Sequence, residues 1–278
     1  MYHIYIYNTL QGTSMKLNKQ VIAWFIFLHL GALLAFLPST FSWSAVGLFV
    51  FMYWLTASVG VCFGFHRYLT HRGMIMPKWL DYFIIFCGTL ACQNGPLKWV
   101  AQHRMHHDNS DTLNDPHNIQ AGFLWAHMGW MFYNRHQFDN STRLRKFTRD
   151  INKDKFYQFL DKYFIHIQIA LGIVFYLIGG ISWVVWGIFV RLVLVYHATW
   201  CVNSVCHKWG YTNYRTSDLS KNNYIIAILT FGEGWHSNHH KIPRSVKHGI
   251  KKHEIDLTYY LIYGLSKLGL VSNLKVYS

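Results

Sequence analysis

Long apolar runs separated by polar, basic segments dominate the pattern along the chain. Four runs are candidates to cross a bilayer: residues 21–37, 45–65, 164–179 and 183–205. A crossing helix needs about 20 apolar residues, within a range of roughly 17–25, and the second run holds no charged residue at all. The last two runs are joined only by Gly180, Ile181 and Ser182, which predicts a tight helix–helix link. A fifth run, 82–92, is too short to span and predicts a buried or interfacial helix. The pattern therefore predicts an all-α integral membrane protein with four transmembrane helices, an interfacial helix and a helical cap, forming a single domain over 1–278.

Lys and Arg set the orientation. The short links after the first and third runs carry none, whereas segment 66–163 carries thirteen and segment 206–278 carries ten. The excess of basic residues on the inner side of a membrane places both short links outside, and both termini and both long segments on the cytoplasmic side. Lys16 and Lys19 precede the first run as they would in a signal peptide. However, Leu37-Pro38-Ser39-Thr40 is not a small-x-small cleavage site and a second run follows at once, so an uncleaved span is expected. Met15, just before the basic stretch 16–19, is an alternative start to Met1. Arg191, about nine residues into the fourth run, is a charge in a costly place.

Composition agrees with lipid as part of the solvent. Of 278 residues, 18% are aromatic, 52% apolar and only 14% charged, against about 25% charged in soluble domains. The net charge of +14 is spread among acids rather than gathered in a run, which argues against a nucleic-acid partner. Cys62, Cys87, Cys92, Cys201 and Cys206 form no CxxC pair, sit in apolar text and imply no disulfide framework.

The eighteen histidines change the picture because they cluster. His66 and His71 follow the second run. His103, His106 and His107 form an HxxHH box, and His236, His239 and His240 form another. On a helix, positions i, i+3 and i+4 share a face, so each box brings imidazoles toward one small volume. The i, i+5 spacing of His66 and His71 spreads them by about 140° on an ideal helix, which suits two different metals or a helix end between them. The scattered His3, His29, His136, His166, His248 and His253 read as structural or interfacial. Eight clustered histidines on one side exceed the needs of one metal, so two ions is the economical count. Imidazole suits Zn, Cu, Fe and Ni, and the residues alone leave iron and zinc open. Asp108, Asp111 and Asp115 follow the second cluster, and Glu233 precedes the third.

Taken in order, HxxxxH, HxxHH and a distant HxxHH around two pairs of spans resemble the membrane fatty-acid desaturases, closest to the Δ9 acyl-lipid and acyl-CoA branch and to its cyanobacterial acyl-lipid members. The likeness runs from about residue 55 to 258 and includes 60–71, 93–107, Asp115-Pro116-His117-Asn118, 122–131, 197–207 and 231–240. It implies a ninth histidine ligand, His207 in Asn203-Ser204-Val205-Cys206-His207, with Asn203 acting through a water. The implied metal set is then His66, His71, His103, His106, His107, His207, His236, His239 and His240, holding two iron ions, with no catalytic side chain beyond the metal centre. His117, His127 and His197 are not ligands in the family, and a supporting or structural role is expected. Asn94, Trp99, Thr199 and Trp200 match substrate-binding positions along a kinked acyl tunnel. Animal acyl-CoA members carry an Arg-Asp pair where Ala101-Gln102 stands here, and a further basic pair is altered at Asn134-Arg135; both departures favour a glycerolipid over CoA as acyl carrier.

The resemblance implies an oxidoreductase that uses O2 to place a cis double bond, at Δ9, in a C16 or C18 saturated chain. Two electrons must then come from outside, because the chain carries no CxxCH, no GxGxxG and no spaced set of four cysteines. The implied donor is ferredoxin or a cytochrome b-type carrier. Two alternatives were weighed. A histidine-box hydroxylase of alkanes, sterols or carotenoids fits the boxes but not NxxxH or GEGWHSNHH. A metal transporter would line its spans with histidine, whereas only His29, His197 and His166 fall in spans.

Overall fold

The computed structural model describes residues 15–277; the expectations for His3 and for Met1 as the start fall outside them. The described chain is mostly helical. Three helices are long and apolar enough to cross a membrane: Lys19–Phe36, Trp43–Thr70 and Lys155–His207. The first begins as α1 (Lys19–Leu33), where the side chain of Asn18 accepts from the Val21 N–H and caps the free end. The second begins as α2 (Trp43–Tyr53), capped by Ser42, and continues as a π-helix from Trp54 to Thr70. Such i→i+5 winding is rare and usually confined to single-turn bulges, often at functional sites. Here it runs for 17 residues, almost all of them buried.

The π-helix packs against α3 (Lys78–Thr89), the short apolar helix expected near 82–92. The two backbones nearly touch: a Cβ on Gly60 would lie 2.3 Å from the Gly88 nitrogen. Small residues at a helix crossing allow this approach, as in many membrane helix pairs. α3 is buried along this face, while Trp79, Phe83 and Phe86 remain exposed on the other.

The third apolar helix contains a reversal. α7 (Lys155–Val184) breaks at Gly180, whose φ of 63° and ψ of −158° are not helical. Twelve residues of straight helix would span about 18 Å, yet a Cβ on Gly187 would meet the Phe175 ring at 2.9 Å. The chain therefore folds back on itself, through a second π-wound stretch, Val185–Val190, into α8 (Arg191–Ser204). The reversal falls at Gly180, the first residue of the link the pattern suggested, because Gly180 tolerates positive φ. Arg191 is fully buried in α8 and has no acidic partner among the described residues; it donates to the carbonyls of Gly187 (2.7 Å) and Leu90 (2.6 Å) and so secures the carboxyl end of α3.

Four shorter helices lie beside one end of the long apolar helices: α4 (Pro96–Asn109), α5 (Phe123–His127), α6 (Ser141–Phe147) and α9 (His236–Lys241). A two-stranded ribbon, β1 (Lys16–Leu17) with β2 (Tyr133–Asn134), ties the start of α1 to this layer. α10 (Leu257–Lys267) packs Ile262 against the π-helix core around Val59 and Phe63.

Candidate metal centre

The nine histidines of the implied metal set converge from four directions and divide into two groups. His66, His71, His103, His107 and His239 form one, and His106, His207, His236 and His240 form the other, with ligand nitrogens in each group lying within 4.8 Å of one another. The division follows helix geometry. In each HxxHH box the i and i+4 residues, about 40° apart around the axis, share a group, and the i+3 residue turns to the other. α4 sends His103 and His107 to the five-histidine pocket and His106 to its neighbour; α9 does the reverse, sending His236 and His240 to the four-histidine pocket and His239 across.

His66 and His71 enter the same pocket, not two different ones. The π-winding is the reason: the His71 N–H donates to the His66 carbonyl (3.1 Å), so i and i+5 stand nearly one above the other. The helix also ends between them, at Thr70. Of the two readings left open by their spacing, the helix end applies and the two-metal reading does not.

The geometry fits bound metal. Nε2 atoms face one another at 3.0 Å for His66 and His239, 2.9 Å for His107 and His239, 3.1 Å for His103 and His107, and 3.0 Å for His207 and His236. Two imidazoles at about 2.1 Å from a shared ion, at right angles, lie about 3.0 Å apart. The buried Nε2 of His71 meets no hydrogen-bond partner among the described residues, as expected of a nitrogen reserved for an ion. Burial, then neighbouring imidazoles, holds His71, His103, His107, His236 and His239 well below the usual histidine range. These rings are therefore neutral near pH 7, the form that binds metal.

Carboxylates fix the rings from behind. Glu233 meets the His66 Nδ1 at 2.6 Å, Asp115 the His106 Nδ1 at 2.9 Å, Asp111 the His207 Nδ1 at 3.0 Å, and Asp218 the His240 Nδ1 at 2.6 Å. A ligand histidine whose far nitrogen binds a carboxylate has its tautomer and orientation set and its basicity raised. Burial alone would raise the Glu233 carboxyl, but His66 and Arg67 hold it well below the carboxylate range. Arg67 in turn bridges Glu233 and Asp256. Sequence reasoning singled out Glu233, Asp111 and Asp115 but missed Asp218, which lies 22 residues before its partner with no spacing to mark it. It also left His248 among the scattered histidines; His248 is buried, 3.3 Å from Glu233.

The three motif histidines outside the set occupy supporting places. His117 stacks near His106 and lies 3.6 Å from Asp115. His127 and His197 belong to a chain that starts at Ser204: Ser204 Oγ to His127 Nδ1 (2.9 Å), His127 Nε2 to His197 Nδ1 (2.9 Å), and His197 Nε2 to His29 Nε2 (3.0 Å). His29 closes it on the Phe25 carbonyl. This chain joins α1, α5 and α8.

A cavity of about 310 Å³ opens beside the pockets and is lined by Asn94, Trp99, Thr199 and Trp200, with His103 and Asn203 at its wall. Gln93 ties two of its lining residues together: its side-chain amide donates to Thr199 (2.9 Å) and accepts from the Trp99 indole (3.2 Å). Gln102 and Arg135 also line it, whereas Ala101 is turned into the core beside Met105 and Phe138. Asn203 borders a smaller cavity with His236 and His66.

Membrane-length apolar helices with two histidine pockets that could hold metal, beside a cavity, fit a metal-binding membrane protein as the class. The family model described as fatty acid desaturase matches residues 41–254. An sn-1 stearoyl-lipid 9-desaturase of Anabaena variabilis is 50% identical over 95% of this chain and 96% of its own length. An sn-1 stearoyl-lipid 9-desaturase of Synechocystis is 49% identical over 92% and 80%, and an sn-2 palmitoyl-lipid 9-desaturase of Nostoc is 42% identical over 94% and 91%. The chain belongs to the fatty acid desaturase family.

Proposed function

We propose that this chain is an acyl-lipid Δ9 desaturase that takes a C16 or C18 saturated chain esterified in a membrane glycerolipid. The observation that carries the reading is the junction of two histidine pockets with a cavity on whose wall Gln93 ties Trp99 to Thr199, where this reading puts the bend of the acyl chain. The relatives named for lipid 9-desaturation support both the carrier and the position, and Ala101-Gln102 at the site of the acyl-CoA pair favours lipid over CoA.

The nine histidines would hold two iron ions, with Asn203 reaching the four-histidine side through a water. Iron is favoured over zinc because the reaction is an oxidation and zinc has no redox chemistry. Bound there, the irons would supply the oxidising power that removes two hydrogens from adjacent methylenes with O2. The protein's residues do the rest. The cavity walls exclude water, and the bend set by Gln93, Thr199 and Trp99 presents one pair of carbons in one conformer. Asn94 and Trp200 confine the chain on either side of that bend. Two protons and two outside electrons complete the balance, giving alkene and two waters; ferredoxin or a cytochrome b-type carrier is the donor.

The whole chain acts as one membrane domain. The fold-back at Gly180 supports reading Lys155–His207 as two crossings, for four in all, and the excess of basic residues in the long segments supports a cytoplasmic side for the histidine pockets and both termini.

The test is a fatty-acid methyl-ester profile of a host without its own desaturase, supplied with this chain or with His106→Ala. A Δ9 monoene in glycerolipids that vanishes in the variant is expected. A hydroxy acid in its place would move the chain to the hydroxylases.

A further inference from the structure

Between residues 143 and 153 five cations, Arg143, Arg145, Lys146, Arg149 and Lys153, surround an open cleft of about 910 Å³. All but Arg143 are exposed. The one acid within that stretch, Asp150, is taken by Arg72 and Arg104. The flanking acids are also committed, Asp139 to Lys98 and Asp154 to Lys78. The cleft is therefore positive without local compensation.

The floor of this cleft is bonded to the metal centre's backbone. Arg104 lies in α4 between His103 and His106. Its Nη1 donates to the Phe147 carbonyl at 2.7 Å, in the cleft wall, and its Nη2 donates to the carbonyls of Leu69 (2.6 Å) and Thr70 (3.1 Å), just before His71. One guanidinium thus joins the cleft to both chain segments that supply four of the five histidines of one pocket. A flat anionic leaflet would be met by cations on a protruding face; a concave basic cleft fits a rounded acidic partner.

We infer that this cleft is the docking surface for a small acidic redox protein carrying one electron at a time. The inference rests on the desaturase reading, which requires two electrons from outside. Each turnover oxidises two carriers by one electron each; with two protons, O2 and the two hydrogens of the acyl chain, the balance closes at two waters. Opposite charges on the partners would speed encounter and set the carrier's orientation, with the strength falling as salt rises.

The experiment uses iron-loaded protein in nanodiscs of neutral lipid and an acidic [2Fe–2S] ferredoxin as probe. Binding is measured at low and high salt for the wild type, for K146E/R149E/K153E, and for K251E/K252E/K267E, which reverses three cations elsewhere. The cleft variant is expected to raise Kd by about tenfold or more and to lose most of its salt dependence, while the control stays near wild type. Unchanged binding in the cleft variant, or equal weakening in both variants, overturns the inference. In a parallel set of nanodiscs doped with anionic lipid, loss of bound anionic lipid in the cleft variant with no change in ferredoxin binding also overturns it, in favour of a headgroup site. Turnover is followed in parallel with ferredoxin and with a chemical reductant. The cleft variant keeps its chemically driven turnover, which shows it folded. Absence of alkene with either reductant in the wild type counts against the desaturase reading alone, since the binding arm stands apart from it.

Discussion

The two histidine pockets differ in how they are supported. The five-histidine pocket is backed by one carboxylate, Glu233 on His66. The four-histidine pocket is backed by three, Asp115 on His106, Asp111 on His207 and Asp218 on His240. A carboxylate behind an imidazole makes it a stronger donor. The pocket with fewer nitrogens thus has the more basic ones, and the pocket with more nitrogens needs less help. Asn203 borders a small cavity shared by His236 of the four-histidine pocket and His66 and His103 of the other. Glu233 has a second task, since it also neutralises the buried Arg67.

The sharpest way to break this comparison is to remove neighbours from one box. His107→Ala leaves four histidines in its pocket, and His106→Ala leaves three in the other. Both are expected to abolish alkene formation, beyond the ~10–100-fold loss typical of a supporting residue. Iron per chain, measured by mass spectrometry, should fall from two toward one more completely in His106→Ala. Equal iron loss would contradict the division of the pockets.

Next in size are the carboxylates. Asp218→Asn is expected to cost ~10–100-fold in iron affinity or activity with little change in folding. Glu233→Gln should also lower stability, by about 3–5 kcal/mol, because it leaves Arg67 buried with Asp256 alone. Chelator titration and thermal melting read the two separately. If Asp218→Asn melts as low as Glu233→Gln, the two carboxylates do not differ as argued.

Smaller is the effect of Thr199→Val. It removes one hydrogen bond that holds Gln93, worth about 1 kcal/mol, so turnover should drop roughly fivefold with a spread in double-bond position. Smallest at neutral pH is the response of the metal-free protein to acid. Its buried histidines have depressed affinity for protons, whereas unfolded histidines titrate near 6.5. The unfolded chain therefore binds more protons below that pH, and melting temperature should fall as pH drops from about 7 to 5. A flat profile would mean the rings are already charged when folded.

Much of this was legible before any coordinates. The apolar runs marked the membrane-length helices because a lipid-facing helix must be apolar along its length. Both HxxHH boxes announced paired ligands because i and i+4 share a face whatever surrounds them. Other features were silent. Which histidine pocket each residue of a box enters depends on how α4 and α9 are placed, which no local spacing encodes. Asp218 and His248 reach the site from loops far along the chain. The i, i+5 pair was misleading, since its angular meaning changes between α- and π-winding, and the π-winding of Trp54–Thr70 accompanies close packing of Gly60 on Gly88.

By itself, then, the sequence determined the family, the apolar helices and the histidines that matter, because periodicity, hydrophobic length and ligand chemistry are local properties of the chain. Only the tertiary structure decided how nine histidines divide five and four, which carboxylate backs which ring, and that His29, His197 and His127 join in one chain. Those choices rest on distances between residues remote in sequence, and only the packing of the helices sets such distances.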